Sequence, residues 1–427
     1  MPHQIDTASA LYATKNNSKV LYLYILLIAS FFLSNFYRIS TAVVLPDLAL
    51  KWGIGATAIG VISSIFFYAY AVAQPFCGLL NDIHGPVKVA FFGMTLAAIG
   101  TILMILAPSA VLFSIGRLFT GLGLAPMLSG ALVFQSNCFP IAKYAAFAGI
   151  TYTVGNFGTV VSVAPLNWLV NKFNFHSVFL GLAIICSLIA SMLFLNIRSY
   201  KQCCIVKQMP KEGSFISQLI TPFCNIFRSR QLKIILLIWM VTCGAMMSFQ
   251  GLWAVQWYRV TFDITFASAS LWATLIGIGV ATGNFTGGQI SRIIKSRRKV
   301  IVLFSLSFAA LWILEWILLK YHWSMLLSGI VGLLLGICAG VEYTQLTTGI
   351  NDYAPKGNGG VLFGIMNCFV FVSVAFFQLL SGFLVDVFSG RIGGSPGGFS
   401  NAFVIIIAIV LFSQLSLPFL KKFNYRK

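Results

Sequence analysis

Three ionisable side chains stand inside stretches of this 427-residue chain that are otherwise apolar: Arg38, Arg117 and Glu342. A charge at the centre of a membrane helix costs about 2.5–3.5 kcal/mol on insertion scales, so each of them needs a compensating partner or a use. Arg38 lies about seven residues before the end of the first apolar run, and Arg117 about eight after the start of the fourth. With the two runs antiparallel and a rise of about 1.5 Å per residue, the two arginines sit at nearly one depth. Two guanidinium groups at one level favour a carboxylate or another anion between them. Each also has a plainer reading: snorkelling of Arg38 to the outer interface, and anchoring of loop carbonyls by Arg117. Glu342 is deep in the tenth run and shares a helix face with Gln345, three residues on. A carboxylate held away from water is a site for proton coupling, or else a paired structural acid.

Uncharged polar and aromatic residues add to the list. In the seventh run Met246, Gln250, Trp253 and Trp257 follow one another at helical spacing, and Gln250 and Trp253 on that face suit an amphipathic ligand. The fifth run offers Tyr152 and Asn156 one turn apart. Glu315 between Trp312 and Trp316 reads as part of an interfacial belt. Nothing points to an enzyme. His3, His84, His176 and His322 fall in the tail or loops without metal-ligand spacing, no phosphate loop or Ser/His/Asp set is present, and no cofactor is implied. The nine cysteines lack metal or disulfide spacing and read mostly as packing residues, with Cys203-Cys204 open to lipidation.

The elements that must carry these residues are legible from composition. Hydrophobic residues make up 59% of the chain, charged residues 9%, and the mean hydropathy is +0.91, which admits only an integral membrane protein. Apolar runs fall at 20–45, 58–80, 87–107, 109–136, 143–170 and 176–197, then at 232–258, 267–290, 300–319, 323–349, 358–386 and 400–420. Each is close to the roughly 20 residues that a bilayer core requires of a helix. The expected plan is all-α: a cytoplasmic arm (1–19), a six-helix bundle (20–197), a basic linker (198–230) with a surface helix on Phe215, Leu219 and Phe223, a second bundle (231–420) and a tail (421–427). The first run is too long for a signal-peptide core and reads as a retained helix.

The net charge of +19 has the look of a nucleic-acid binder, but the placement of the charges argues otherwise. Threaded through twelve spans, Lys and Arg gather in the arm, the linker, the tail and the loops of one side. Only Lys51, Lys172, Arg259, Lys320 and Arg391 fall on the other. By the positive-inside rule both termini and the linker are cytoplasmic, and the surplus contacts anionic lipid rather than nucleic acid.

Between the second and third runs lies Gly78-Leu79-Leu80-Asn81-Asp82-Ile83-His84-Gly85-Pro86-Val87-Lys88, a hairpin too short to hold a domain. Gly85 and Pro86 suit the turn, and Asp82 is placed to cap a neighbouring helix N-terminus. The spacing of Gly78, Leu80, Asp82, Gly85 and Lys88 resembles the signature loop of the major facilitator superfamily, in which it acts as a conformational latch. Here Ile83 replaces the Arg that usually follows the Asp, and Pro86 and Val87 stand where that loop carries basic residues. An echo lies 210 residues on, where Gly288, Arg292 and Arg298 repeat the order of glycine, charge and base. The resemblance implies twelve transmembrane helices in two pseudo-symmetric six-helix bundles. Asn35-Phe36-Tyr37-Arg38 is similar to the first-span pattern of the superfamily's organic-anion symporters, which implies a substrate site at Asn35, Tyr37 and Arg38. Arg117-Leu118-Phe119-Thr120-Gly121 resembles a fourth-span motif whose Arg is associated with proton coupling. The fifth span lacks the Gly-Pro pair common in the superfamily's antiporters, Gly155 being followed by Asn156.

The function expected is secondary active transport by alternating access: proton-coupled uptake of a small carboxylate-bearing solute by a monomer in a bacterial inner membrane. Tyr152, Asn156, Gln250, Trp253 and Gln345 join the substrate site, and Glu342 and Arg117 the coupling site. A peptide or siderophore carrier, an efflux antiporter, and a transport-inactive sensor with the same fold stand as alternatives.

Overall fold

A computed structural model describes residues 17–203, 223–224, 226–353, 359–390 and 394–421, and among them every regular element is helical. Lipid leaves no water to satisfy backbone groups, so each apolar run closes its own hydrogen bonds as a helix. The first span is α1 (Asn17–Ile39) continued by α2 (Thr41–Trp52) past a break at Ser40. Next come α3 (Ala56–His84), α4 (Pro86–Ile105) and the fourth span as α5 (Ala110–Leu124) plus α6 (Met127–Cys138). α7 (Ile141–Val161) and the start of α8 (Ala164–Cys203) make the fifth. Asn174, at φ 63°, interrupts α8, and its Oδ1 accepts the Ser177 N–H at 2.9 Å, capping the sixth span.

The second half opens with α9 (Arg230–Ser248), a π turn (Phe249–Trp253) and α10 (Ala254–Phe262). It continues with α11 (Phe266–Ile294), α12 (Arg297–Lys320), α13 (Met325–Tyr353), α14 (Gly359–Ser389) and α15 (Pro396–Gln414). Among the described residues, eleven helices are long and apolar enough to cross a membrane. The twelfth crossing, begun by Ile141–Val161, is the most polar, and the reason lies in the cavity it lines. Most of the linker, including Phe215 and Leu219, lies outside the described residues; the ring of Phe223 is 6.0 Å from that of Phe369.

Within each half, glycines let helix backbones touch. A Cβ on Gly283 would lie 2.2 Å from the carbonyl oxygen of Ile337, and one on Gly340 2.3 Å from that of Val280, so α11 and α13 pack without side chains between them. The halves meet chiefly through α3 and α14, which run antiparallel. Gly60 and Gly382 abut, and farther along the pair Asn367 Nδ2 donates to Gln74 Oε1 at 2.9 Å. On the side remote from the linker, hereafter the far side, the halves also join where Thr41 Oγ1 donates to the Gly251 carbonyl at 3.3 Å and the Ala164 N–H to Thr274 Oγ1 at 3.1 Å.

The far end of that helix pair is closed by a carboxylate. Asp386, on α14, accepts the backbone N–H groups of Ala56 at 2.7 Å and Thr57 at 2.6 Å, so an acid of one half caps the N-terminus of a helix of the other. A Cβ at Gly55 would come within 2.9 Å of both carboxylate oxygens. Asp386→Asn keeps the shape but loses one acceptor and the charge. The expected cost is about 1 kcal/mol, seen as roughly fivefold faster hydrogen exchange at the Ala56 and Thr57 amides. Unchanged exchange at both amides would remove the cap from the account of far-side closure.

Candidate functional site

A cavity of about 430 Å³ lies between the halves. From the first half Phe31, Asn35 and Arg38 of α1, Tyr70 of α3, and Gly149, Tyr152, Thr153, Asn156 and Thr159 of α7 line it. The second half contributes Trp239, Cys243 and Met247 of α9, Gln250 of the π turn, Asn284 of α11, Tyr343 and Thr344 of α13, and Asn367 and Phe371 of α14. The polar residues of α7 are thus the price of facing this space rather than lipid. The lining continues to Gly149 and Thr348, near the linker ends of α7 and α13, so the cavity opens toward the linker side.

Arg38 is the one charged side chain in that lining among the described residues. Its Nη1 donates to Asn35 Oδ1 at 3.0 Å, while Asn35 Nδ2 donates to the Phe31 carbonyl at 3.3 Å, which fixes the amide and through it the guanidinium. The Arg38 Cζ lies 5.1 Å from the ring centre of Tyr70 and 4.9 Å from that of Phe371, and Nε is buried without a hydrogen-bond partner. None of these contacts is acidic. The cation is held by an amide and two π faces, leaving its remaining N–H groups for a ligand.

Arg117 shares the level of Arg38 but not its surface. It is fully buried, donates to the Tyr37 carbonyl at 2.9 Å and to the Ser63 carbonyl at 3.4 Å, and lies 4.5 Å from the Phe66 ring centre. It ties the break at Ser40 in the first span to α3 and is absent from the cavity lining. Tyr37 likewise points away, its hydroxyl 2.7 Å from Thr101 Oγ1. Of the residues read as substrate-binding, the cavity gathers Asn35, Arg38, Tyr152, Asn156 and Gln250. Gln250 is buried with neither side-chain polar atom hydrogen-bonded. Gln345 donates to the Gly287 carbonyl at 2.7 Å, behind the cavity wall.

The π turn divides the seventh-span stripe. Its extra residue rotates the helix face, so Gln250 looks into the cavity while Trp253 Nε1 donates to Ser381 Oγ at 2.9 Å and lines a separate far-side pocket of about 810 Å³. Trp257 packs on Phe399 and Phe403 and Met246 is buried, so the four do not form one face.

Glu342 is fully buried one layer behind Tyr343, with Oε1 accepting Thr242 Oγ1 at 3.0 Å and Ser305 Oγ at 2.8 Å and Oε2 unpartnered. It joins α9, α12 and α13. Glu315 is not part of an interfacial belt: it is fully buried and accepts the Tyr258 hydroxyl at 2.8 Å, while Trp312 beside it is buried too and Trp316 is half-buried, donating to the Ser400 carbonyl at 2.9 Å. Among the cysteines, Cys138 is disulfide-bonded rather than a packing thiol.

At the hairpin Gly85 has φ 83°, and a Cβ there would meet the Tyr200 ring at 3.0 Å. Asp82 is half-buried, Lys88 and Arg292 are exposed, and Arg298 Nη2 donates to the Pro418 carbonyl at 3.3 Å. Gly78 and Gly288, related by the internal echo, both face open space. The contact that binds this hairpin to α6 comes from Asn81, which sequence reading passed over: its Nδ2 donates to Cys77 O at 2.7 Å and to Ser129 Oγ at 3.0 Å. Tyr70, Asn284, Asn367 and Phe371 were also missed, and the polar residues among them carried a signal as amides within apolar runs.

Two six-helix halves around a cavity open to one side define a membrane transporter. The chain belongs to the Major Facilitator Superfamily, whose family model matches residues 26–377. Over 374 residues it is 22% identical to a probable L-galactonate transporter of Escherichia coli K12, covering 82% of this chain and 79% of that one. It is 26% identical over 152 residues to probable anion transporter 4, chloroplastic, of Oryza sativa subsp. japonica, and 26% over 157 residues to sodium-dependent phosphate transport protein 1, chloroplastic, of Arabidopsis thaliana. Those stretches cover 35% and 36% of this chain but only 26% and 31% of the relatives' lengths. In fold it is similar to a bacterial homolog of the human lysosomal transporter Spinster, solved inward-facing and unoccupied, with TM-score 0.73, 13% identity and coverage of 94% and 97%. It is also similar to a mutant form of the nucleoside transporter NupG, with TM-score 0.73, 13% identity and coverage of 93% and 99%.

Proposed function

We propose that this chain is a secondary active importer, not an enzyme, that takes up a small carboxylate-bearing anion with protons by alternating access. The observation that carries the reading is Arg38: one cation in the cavity lining, held by neutral groups. A guanidinium in that setting is incomplete until an anion arrives, and its fork suits a carboxylate. Tyr152, Asn156, Gln250 and Asn284 around it offer hydroxyl and amide groups for the rest of a hydrophilic solute. The relatives named for anion, phosphate and L-galactonate transport favour the same class. The protein acts as a monomer in a bacterial inner membrane with both termini and the linker cytoplasmic, which makes the cavity inward-facing. Glu342 is the proton carrier, and the Gly78–Lys88 hairpin with its echo is the inner latch.

Counterflow in proteoliposomes tests the reading. L-galactonate inside should drive saturable uptake of its own labelled form, several-fold above protein-free vesicles, whereas exchange of ascorbate or phosphate alone would keep an anion carrier and overturn the carboxylate. Exchange of peptides or amphipathic cations with no anion exchange would transfer the protein to the carrier or efflux alternatives. Binding without any counterflow would make it a sensor.

A further inference from the structure

We propose that Phe371 is a positioning residue for Arg38, and that through it the anion affinity of the first half depends on where the second half stands. The inference rests on the anion reading above and adds a residue to it. Arg38, Asn35 and Tyr70 all belong to the first half; Phe371 does not. The rings of Tyr70 and Phe371 meet edge to face, 4.6 Å between centres at 60°, and form a notch in which the guanidinium sits about equally far from both. Phe371 itself is buried and rests on Phe67 as well.

The notch occupies a defined place on the antiparallel α3–α14 pair. One turn toward the linker, Gln74 and Asn367 are hydrogen-bonded; farther toward the other side Gly60 meets Gly382 and Asp386 caps α3. Arg38 donates from Nη1 to Asn35 Oδ1, its Nε has no hydrogen-bond partner, and its other neighbours are Tyr70 and Phe371. Its orientation therefore leans on the two rings. Rocking of the halves must slide α14 along or away from α3, and the ring of Phe371 goes with it. Arg38 then keeps Tyr70 alone, loses a π face, and regains rotamer freedom that an anion has to remove on binding. A ligand that binds one state better than the other shifts the balance between them, so this contact gives the substrate a hold on the conformational equilibrium.

The test compares Phe371→Leu, which keeps apolar volume without a π face, with Phe371→Tyr, which keeps the face. Full-length protein in detergent is titrated calorimetrically with L-galactonate, ascorbate and inorganic phosphate. Leu is expected to weaken the anion that binds by about three- to tenfold and Tyr to stay within about twofold. Hydrogen exchange without ligand supplies a second readout. Because the contact spans the halves, Leu should raise exchange at Ala56 and Thr57, where far-side closure is made, by about threefold, and Tyr should not. Equal losses in both variants overturn the proposal, because the π face would not matter; wild-type affinity and exchange in Phe371→Leu overturn it too. If the wild type binds none of the three anions, the anion reading fails, and exchange alone decides whether the ring holds the halves.

Discussion

Arg38→Ala is expected to abolish binding of a carboxylate-bearing anion while the protein still expresses and folds. The two halves of that expectation come from different contacts. On the ligand side, a carboxylate gripped by two charge-assisted hydrogen bonds gains about 1.5–3 kcal/mol from each, so truncation should cost at least about a hundredfold in affinity. On the folding side, Arg38 is only partly buried, and its Nη1 donates to Asn35, a residue three positions away on the same helix. Nothing distant hangs from it except two aromatic faces, which can close on each other. Arg38→Lys should be impaired nearly as much, since an ammonium reproduces neither the fork nor the planar stacking on Tyr70 and Phe371. Arg117→Ala gives the contrast. Its guanidinium holds carbonyls of Tyr37 and Ser63, both interior, so its loss should lower yield and melting temperature. Titration calorimetry beside a thermal melt separates the two arginines, and an Arg38→Ala protein of unchanged affinity would return Arg38 to snorkelling.

The contrast also shows which parts of this molecule a sequence exposes. Run lengths mark the twelve spans, and even the break between the fifth and sixth runs falls where Asn174 adopts positive φ. Depth along a helix was legible too: counting residues put Arg38 and Arg117 at one level, and Arg117 indeed reaches the carbonyl of the residue before Arg38. Azimuth was not. Helical spacing assumes an unbroken register, and the π turn at Phe249–Trp253 gives no composition signal, so Gln250 and Trp253 were expected on a face they do not share. For Glu315, nearby tryptophans pointed to an interface, whereas the partner that buries it, Tyr258, lies 57 residues earlier. Contacts across the halves are the least visible. Tyr70 and Phe371 are ordinary aromatics in apolar runs, and only the antiparallel register of α3 and α14, fixed by glycines and the Gln74–Asn367 pair, brings them together.

With Glu342 as the proposed proton carrier, Glu342→Gln is expected to separate exchange from accumulation. The carboxylate has one oxygen engaged by Thr242 and Ser305 and the other unpartnered. A glutamine amide can keep its oxygen on the two hydroxyls and set its NH₂ where the free oxygen was, so the packing of α9, α12 and α13 survives. What is lost is the capacity to take up and release a proton. Counterflow needs no net proton movement and should stay within about twofold of wild type. Uphill accumulation driven by an acid exterior should fall to the level of simple equilibration, because no site remains through which proton binding can favour one state of the carrier. A structural role for Glu342 predicts another pattern: a lower melting temperature, with counterflow and accumulation reduced together. Measuring both fluxes in one proteoliposome preparation, with the melt alongside, distinguishes the two. Full pH-driven accumulation by Glu342→Gln would eliminate this carboxylate as the carrier and move the search to Glu315, the other acid buried in the second half among the described residues. There the same substitution applies, since Tyr258 donates to one carboxylate oxygen and would still find an amide oxygen in its place.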